Sequence, residues 1–340
     1  MNHFAIDLHD EYSQICQMSP DRVVLLEAKV PTSAPALREF FRGKESGRVF
    51  FEAGPHGLWV SELLTELGHE PVPIHPRRLR LIAESRNKND RVDAEMIARL
   101  SVSDLELVRP IRQRSRQTLD ERSITTTRAT LVETQKVLRT TLRGLVKPFG
   151  LRLPAGKKTA LSEAAKADLP PGVKSSVDAL LEVLNTIALK VRAFDQSIQQ
   201  MSERAHTERM KTIPGVGPLV AVAFAHAIED PTRFSSDDVG AFVGLTPPNR
   251  SSAGKQLSAK ERGRPGDPYV RGLLVQAAWT LVNSRSQSDL AQWGRKKMEE
   301  IGPKKGAVAV ARKLAVLMHR LWLHDQDFIA HPPRRSKRAA

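Results

Sequence analysis

The first hundred residues alternate short apolar runs with amphipathic stretches. Phe4-Ala5-Ile6-Asp7-Leu8 is an apolar run interrupted by an acid, Arg22 to Glu27 is a second run, and Arg48-Val49-Phe50-Phe51-Glu52 is a third that also ends in an acid. Short runs of branched and aromatic side chains predict strands. Pro35 to Phe41 predicts a short helix. Gly57 to Leu67 predicts another, with Leu58, Leu63, Leu64 and Leu67 on one face. Pro71 to Ile74 predicts a strand and Asp90 to Leu100 a helix. Strands alternating with helices predict an α/β domain over residues 1–108, a sheet with helices packed on it.

The pattern then changes to long helical periods. Ile124, Leu131, Leu138 and Leu145 recur seven apart, with Leu142 beside the last, and Pro148 and Gly150 end that stretch. Residues 149–176 are rich in Pro and Gly and predict a linker, with a short helix around Ala160 to Ala167. Leu180, Leu184, Ile187, Val191, Phe194, Ile198 and Met201 step by four and three, the spacing of a coiled-coil seam. Its partner is either the preceding helix or another copy of the chain, and the spacing fits both. Residues 109–208 thus predict a helical middle. Residues 209–328 predict a third, mostly α region, with helices near 269–284 and 307–324, a glycine hairpin and a polar loop at 246–268. The tail 329–340 is basic and predicts disorder.

Charge adds a partner to this outline. The chain of 340 residues carries 53 Lys and Arg against 38 Asp and Glu, a net charge of +15, so it attracts polyanions. Within 109–152 there are eleven basic residues against three acidic ones, which makes that helix a candidate nucleic-acid contact. Aromatic residues are only 5%, so base stacking is not the expected mode of binding. The single cysteine, Cys16, excludes a disulfide framework and a cysteine-rich zinc site. The N-terminus lacks a signal-peptide pattern, and the longest apolar run, Leu219 to Ile228, is too short to span a bilayer. A cytoplasmic protein, with no membrane partner, is expected.

Three local patterns carry candidate chemistry. Asp7 and Glu52 are acids at strand ends, and Asp90 and Asp93 stand three apart at a helix start, on one side of it. Four convergent carboxylates are what two divalent ions acting on phosphate require, and Mg2+ or Mn2+ prefers such oxygen ligands. Taken singly, Asp90 and Asp93 also fit a helix cap and a first-turn acid. Ile213-Pro214-Gly215-Val216-Gly217-Pro218 is a glycine hairpin ahead of an apolar helix, similar to helix-hairpin-helix elements, with Gly215, Val216 and Gly217 as candidate phosphate contacts. Ser251-Ser252-Ala253-Gly254-Lys255 opens a basic stretch containing Lys260, Arg262, Arg264 and Arg271, all candidate DNA contacts with Lys255. As chemistry alone such a segment is most simply a loop, yet surrounding cations can activate a serine toward phosphate.

Read together, these motifs resemble a known family. Ala5-Ile6-Asp7, Phe51-Glu52-Ala53-Gly54 and Asn89-Asp90-Arg91-Val92-Asp93-Ala94 in the first part, and Ile213 to Pro218, Gly244-Leu245-Thr246-Pro247, Ser251 to Lys255, Gly266 to Arg271 and Ala309 to Ala315 in the last, are similar to the DEDD transposases of bacterial insertion sequences, the bridge-RNA-guided serine recombinases. The resemblance covers roughly residues 4–328. It implies a RuvC-like, RNase H-like first domain, a coiled-coil middle and a C-terminal transposase domain. It further implies metal held by Asp7, Glu52, Asp90 and Asp93, a nucleophile at Ser252 with Ser251 as runner-up, donor and target DNA, a structured guide RNA and a tetramer. One position departs from the pattern: Ala253 stands where the family has glycine. Two other functions fit the residues, a junction-resolving nuclease that uses water and a nucleic-acid-binding assembly protein without chemistry.

Overall fold

The computed structural model describes residues 2–75, 90–103, 110–153, 166–246, 251–252, 255–256 and 266–332. The chain divides into two compact units, residues 1–119 and 120–340.

The first unit is a five-stranded sheet between helices. Its strands are β1 (Asn2–Leu8), β2 (Tyr12–Met18), β3 (Val24–Pro31), β4 (Gly47–Glu52) and β5 (Glu70–Ile74). They lie in the order β3-β2-β1-β4-β5. β1 pairs antiparallel with β2 and parallel with β4; β2–β3 is antiparallel and β4–β5 parallel. Alternation along the strands gives the sheet two apolar faces. Phe4, Ile6, Ile15, Val49 and Phe51 pack with Leu37 and Phe41 of α1 (Ala34–Phe41) and with Val60, Leu63 and Leu64 of α2 (Gly57–Glu66). Ala5, Cys16, Met18, Phe50, Val72 and Ile74 pack with Ala94, Ile97 and Ala98 of α3 (Asp90–Ser103).

Strand β2 has no counterpart among the sequence expectations. Its polar Ser13, Gln14 and Gln17 obscure the period, although Ser13 is fully buried and its hydroxyl lies 2.7 Å from that of Thr32. The second expected strand shifts forward. Arg22 takes a left-handed φ of 64° in the β2–β3 turn, so pairing begins at Val24 and runs on to Tyr12 opposite Pro31. On α2 the buried positions are Gly57, Val60, Leu63 and Leu64, while Leu58 and Leu67 are only half-buried.

The second unit opens on a helical hairpin. Helix α4 (Arg116–Val146) runs into a 3-10 turn and a left-handed Gly150, as Pro148 and Gly150 predict, and α5 (Pro171–Met201) returns beside it. Leu142 and Val146 near the end of α4 pack on Val177 and Leu184 near the start of α5. Arg128 bonds Asp195 further along, so the two helices run antiparallel. The first half of the apolar seam thus meets the preceding helix of the same chain. The predicted helix at 160–167 falls largely outside the described residues.

The remainder is helical: α6 (Ala205–Lys211), α7 (Pro218–Ile228), α8 (Ser236–Phe242), α9 (Pro268–Asn283), α10 (Asp289–Ile301) and α11 (Pro303–Leu323). Their shared core includes Phe224, Ile228, Leu274, Leu281, Val310, Leu314 and Met318. Between α8 and α9, Ser251–Ser252 and Lys255–Gln256 form a two-stranded ribbon. The tail 333–340 lies outside the described residues.

Candidate active site

The register of the two central parallel strands places the first two carboxylates. Ile6 is opposite Phe51, so Asp7 and Glu52 follow as the next pair, at the C-terminal ends of β1 and β4. Neighbouring strands lie about 4.8 Å apart. Alternation puts Asp7 on the face of Ala5, and Glu52 on the face of Phe50, and both are faces that α3 covers. Asp90 and Asp93 occupy the first turn of that helix. The backbone therefore gathers the strand acids and the element carrying the helix acids on one face of the sheet. Open α/β sheets hold ligands at this same edge, outside the carboxyl ends of parallel strands.

The Asp7 side chain is largely enclosed, 14% exposed, and its Oδ2 lies 3.0 Å from His9 Nε2. Glu52 is half-buried and leads into Ala53, whose N–H donates to the Ile74 carbonyl at 2.8 Å. After that turn α2 begins at Gly57, against which the end of the Gln113 side chain packs. At the β1–β2 hairpin, His56 Nε2 is 3.0 Å from Asp10 Oδ1, and the Trp59 indole N–H donates to His56 Nδ1. Sequence reasoning passed over His9; the signal available was an Asp-x-His at a strand end.

Oxygen donors of this kind suit a hard divalent cation. Asp7 and Glu52 supply two such donors side by side. Among the described residues, no group of three or more His, Cys, Asp or Glu side chains stands together to hold a metal.

The second unit carries the other candidates. In the hairpin, Gly215 has φ +90°, and a Cβ there would lie 2.8 Å from the Ala277 carbonyl oxygen and 2.9 Å from the Leu281 nitrogen of α9. Val216 is buried, and its N–H donates to the Ile213 carbonyl. Gly217 caps α7 and has open space around it. Of the three candidate phosphate contacts, Gly217 is thus the one with its surface open, while Gly215 and Val216 face inward.

The serine segment is described at its ribbon and its base. Ser252 pairs with Lys255 across the ribbon, and Ser251 with Gln256. Lys260, Arg262 and Arg264 lie outside the described residues, and Arg271 is half-buried on the first turn of α9. At the base, Gly266 has φ +88°, and a Cβ there would meet the Phe242 carbonyl oxygen, the Val243 carbonyl carbon and the Gly244 nitrogen at 2.6 Å each. The next residue, Asp267, accepts from the Tyr269 and Val270 N–H groups at the start of α9 and from Arg122 Nη2 at 3.0 Å. Burial pushes its carboxyl upward, but Arg122 and the two N–H groups outweigh that and hold it below the usual range.

Two family models match this chain. One, for DEDD transposases of the IS110 kind, matches residues 4–149, the stretch that includes the sheet and its four acids. The other, the Transposase IS116/IS110/IS902 family, matches residues 207–293, which include the glycine hairpin and the serine segment. The chain belongs to the IS110/IS116 family of insertion-sequence transposases. Relatives agree along most of its length. A "Probable family 20 transposase" of Pseudomonas aeruginosa is 28% identical, over 84% of this chain and 86% of the relative. A "Putative transposase y4pF/y4sB" of Sinorhizobium fredii is 27% identical, over 86% and 80%. The "Transposase for insertion sequence element IS1111A" of Coxiella burnetii is 26% identical, over 75% and 72%. As an IS110/IS116 transposase the protein is an enzyme that cuts and rejoins DNA, and its DEDD domain implies dependence on a divalent metal. No described helix is long and apolar enough to cross a membrane.

Proposed function

We propose that this transposase opens DNA by transesterification at a serine, with metal held by Asp7, Glu52, Asp90 and Asp93. The observation that carries the reading is the adjacency of Asp7 and Glu52 on the sheet face that α3 covers. The order β3-β2-β1-β4-β5, with an antiparallel hairpin side and a parallel side, supports a RuvC-like, RNase H-like reading of the first unit. Bound there, divalent Mg2+ or Mn2+ would polarise the scissile phosphate and stabilise the leaving oxygen. The carboxylates of this chain orient those ions.

Ser252 is the nucleophile in this reading, and Ser251 its alternate. The Ser252 hydroxyl gives up its proton as its oxygen bonds to phosphorus, the bond from phosphorus to the leaving sugar oxygen breaks, and that oxygen takes up a proton, so none is gained or lost overall. The phosphodiester is kept as a serine–DNA ester, and a strand hydroxyl then reverses the step and joins new ends. Lys255, opposite Ser252, and the basic residues Lys260, Arg262, Arg264 and Arg271 supply positive charge for the phosphate. Gly217 of the hairpin offers an open helix start to a further phosphate. An element-encoded RNA that pairs with donor and target DNA would set the sequence, with a tetramer as the working assembly. The basic helix α4 is the candidate RNA contact.

The test is a denaturing gel of wild-type protein and Ser252→Ala on a nicked donor site. The wild type should give a covalent protein–DNA band and the variant none. A band at wild-type yield in Ser252→Ala overturns the assignment. The carboxylate pair by itself also favours a second reading, hydrolysis by water as in a junction resolvase. That reading requires metal-dependent cutting to survive loss of both Ser251 and Ser252.

A further inference from the structure

Helix α11 (Pro303–Leu323) carries five basic residues, Lys304, Lys305, Arg312, Lys313 and Arg320, and not one acid. Its inner face is fixed in the core by Val310, Ala311, Leu314, Ala315, Met318 and Leu321. His319 adds a polar anchor, its Nε2 2.7 Å from the Pro231 carbonyl oxygen. The outer face is different. At 3.6 residues per turn, Lys305, Arg312, Lys313 and Arg320 fall within an arc of about 100°, with the short, uncharged Ala309 and Val316 between them. All four basic residues are exposed, while Ala309 and Val316 are half-buried.

Elsewhere in this chain basic side chains are commonly paired with carboxylates, as Arg38 is with Glu66, Arg128 with Asp195, Lys166 with Asp178 and Arg209 with Asp325. On this stripe no such pair is formed: among the described residues, none of Lys305, Arg312, Lys313 and Arg320 has an acidic partner. The stripe is also held in place. The Lys313 ammonium sits 3.7 Å over the Trp293 ring of α10, and the Arg312 side chain lies along Gly240 of α8, where a Cβ would come within 2.9 Å of it. Burial, and then the nearby Lys297, lower the Lys313 pKa. Like charges gathered without counter-charge are a cost to the free protein, and a polyanion removes it.

We propose that the outer face of α11 is a DNA-binding surface, on which Lys305, Arg312, Lys313 and Arg320 contact the phosphate backbone of duplex DNA without reading its sequence. The rigid seating of the helix makes those charges a preset row. Ala309 and Val316, which stand lower than the long basic side chains around them, leave room for the backbone to approach. The proposal uses only the transposase's need for DNA and does not depend on the serine chemistry.

The experiment measures binding of the full chain to a short fluorescein-labelled duplex of unrelated sequence, by anisotropy, over a series of KCl concentrations. Each phosphate contact adds about 0.9 to the slope of log affinity against log salt, so K305Q/R312Q/R320Q should flatten the slope by about 2.7 and weaken binding roughly tenfold or more. A change in slope below about 1 overturns the proposal. So does an equal loss in K174Q/K190Q/R192Q, which removes the same charge from α5, or a loss confined to structured RNA while the duplex slope is unchanged. Thermal melting checks the fold. If the triple variant does not fold, the exposed single variants K305Q and R320Q should each lower the slope by about 0.9. The serine reading is scored on its own denaturing gel, as the covalent band, so its loss and the loss of this proposal are separate results.

Discussion

His226 Nε2 lies 2.8 Å from Glu121 Oε2 inside the helical unit, and both side chains are nearly inaccessible to water. The same carboxylate receives Arg204. Burial, the larger influence, holds the His226 imidazole below its ordinary value although Glu121 pulls the other way. Arg204 and Arg122 push in the same direction as burial. The unfolded chain therefore takes up the proton first. Stability is complete above the ordinary histidine value and is lost as pH falls through it toward the folded value. Urea midpoints should accordingly drop between about pH 7.5 and about pH 5, and His226→Gln should flatten part of that slope. His206, also lowered mainly by burial, contributes with the same sign. A wild-type midpoint independent of pH over this range would refute the assignment. Glu121→Ala leaves His226 buried without its partner and should cost about 3 kcal/mol.

Removing one oxygen donor from the sheet edge should separate binding from chemistry. Asp7→Asn and Glu52→Gln keep size and polarity, so melting temperature and duplex affinity should stay close to wild type. Strand cleavage in Mg2+ should fall by roughly a hundredfold or more. His9→Gln removes one neighbour of Asp7 and should cost about tenfold. Wild-type cleavage rates in Asp7→Asn would remove the first strand from the site.

The two hairpin glycines should respond in opposite ways. Gly215→Ala introduces a Cβ into the backbone of α9 at a positive φ and should destabilise the protein by about 2 kcal/mol or more. Gly217→Ala meets open space at an ordinary φ and should alter stability by less than about 1 kcal/mol, the added methyl being felt in DNA affinity instead. Chemical denaturation and anisotropy titration distinguish the two. Equal melting of both variants would contradict the packing described for Gly215.

Asp267→Ala removes the cap of α9 and the partner of Arg122 together. A loss of about 1–2 kcal/mol is expected, and Asp267→Asn, which keeps a capping oxygen, should recover part of it. Urea unfolding of both variants checks the order; Asn no better than Ala would show that the cap contributes nothing.

Ala253→Gly restores the residue that the family pattern has beside Ser252. The expectation is a higher yield of covalent adduct on a nicked site with no loss of duplex affinity, read on a denaturing gel. A lower yield would mean that Ala253 suits this chain's own loop.

Most of the sheet was legible because its central strands are simple. Phe4 to Leu8 and Arg48 to Glu52 combine dense apolar character with a terminal acid, and both strands appear where the pattern puts them. β2 was not legible, because buried Ser13 is satisfied by Thr32, nineteen residues away, and no local period reports such a bond. The acids could be found singly, yet their adjacency is a property of register. Only pairing of β1 with β4, with β2, β3 and α1 between them in the chain, brings Asp7 beside Glu52. The inward orientation of Gly215 and Val216 was hidden for a similar reason, since Gly-x-Gly states a turn but not the helix that packs on it. His226 with Glu121, and Arg122 with Asp267, join residues more than a hundred positions apart, and sequence spacing carries no sign of either.

The contact of Gly266 with the backbone of Phe242, Val243 and Gly244 has an evolutionary consequence. It fastens the two ends of the serine-bearing segment to each other before the chain enters α9. Insertions and deletions beyond that contact can be tried by mutation with little penalty in folding. A lineage of such elements could thereby revise the reactive segment, in length and in sequence, while inheriting its scaffold unaltered.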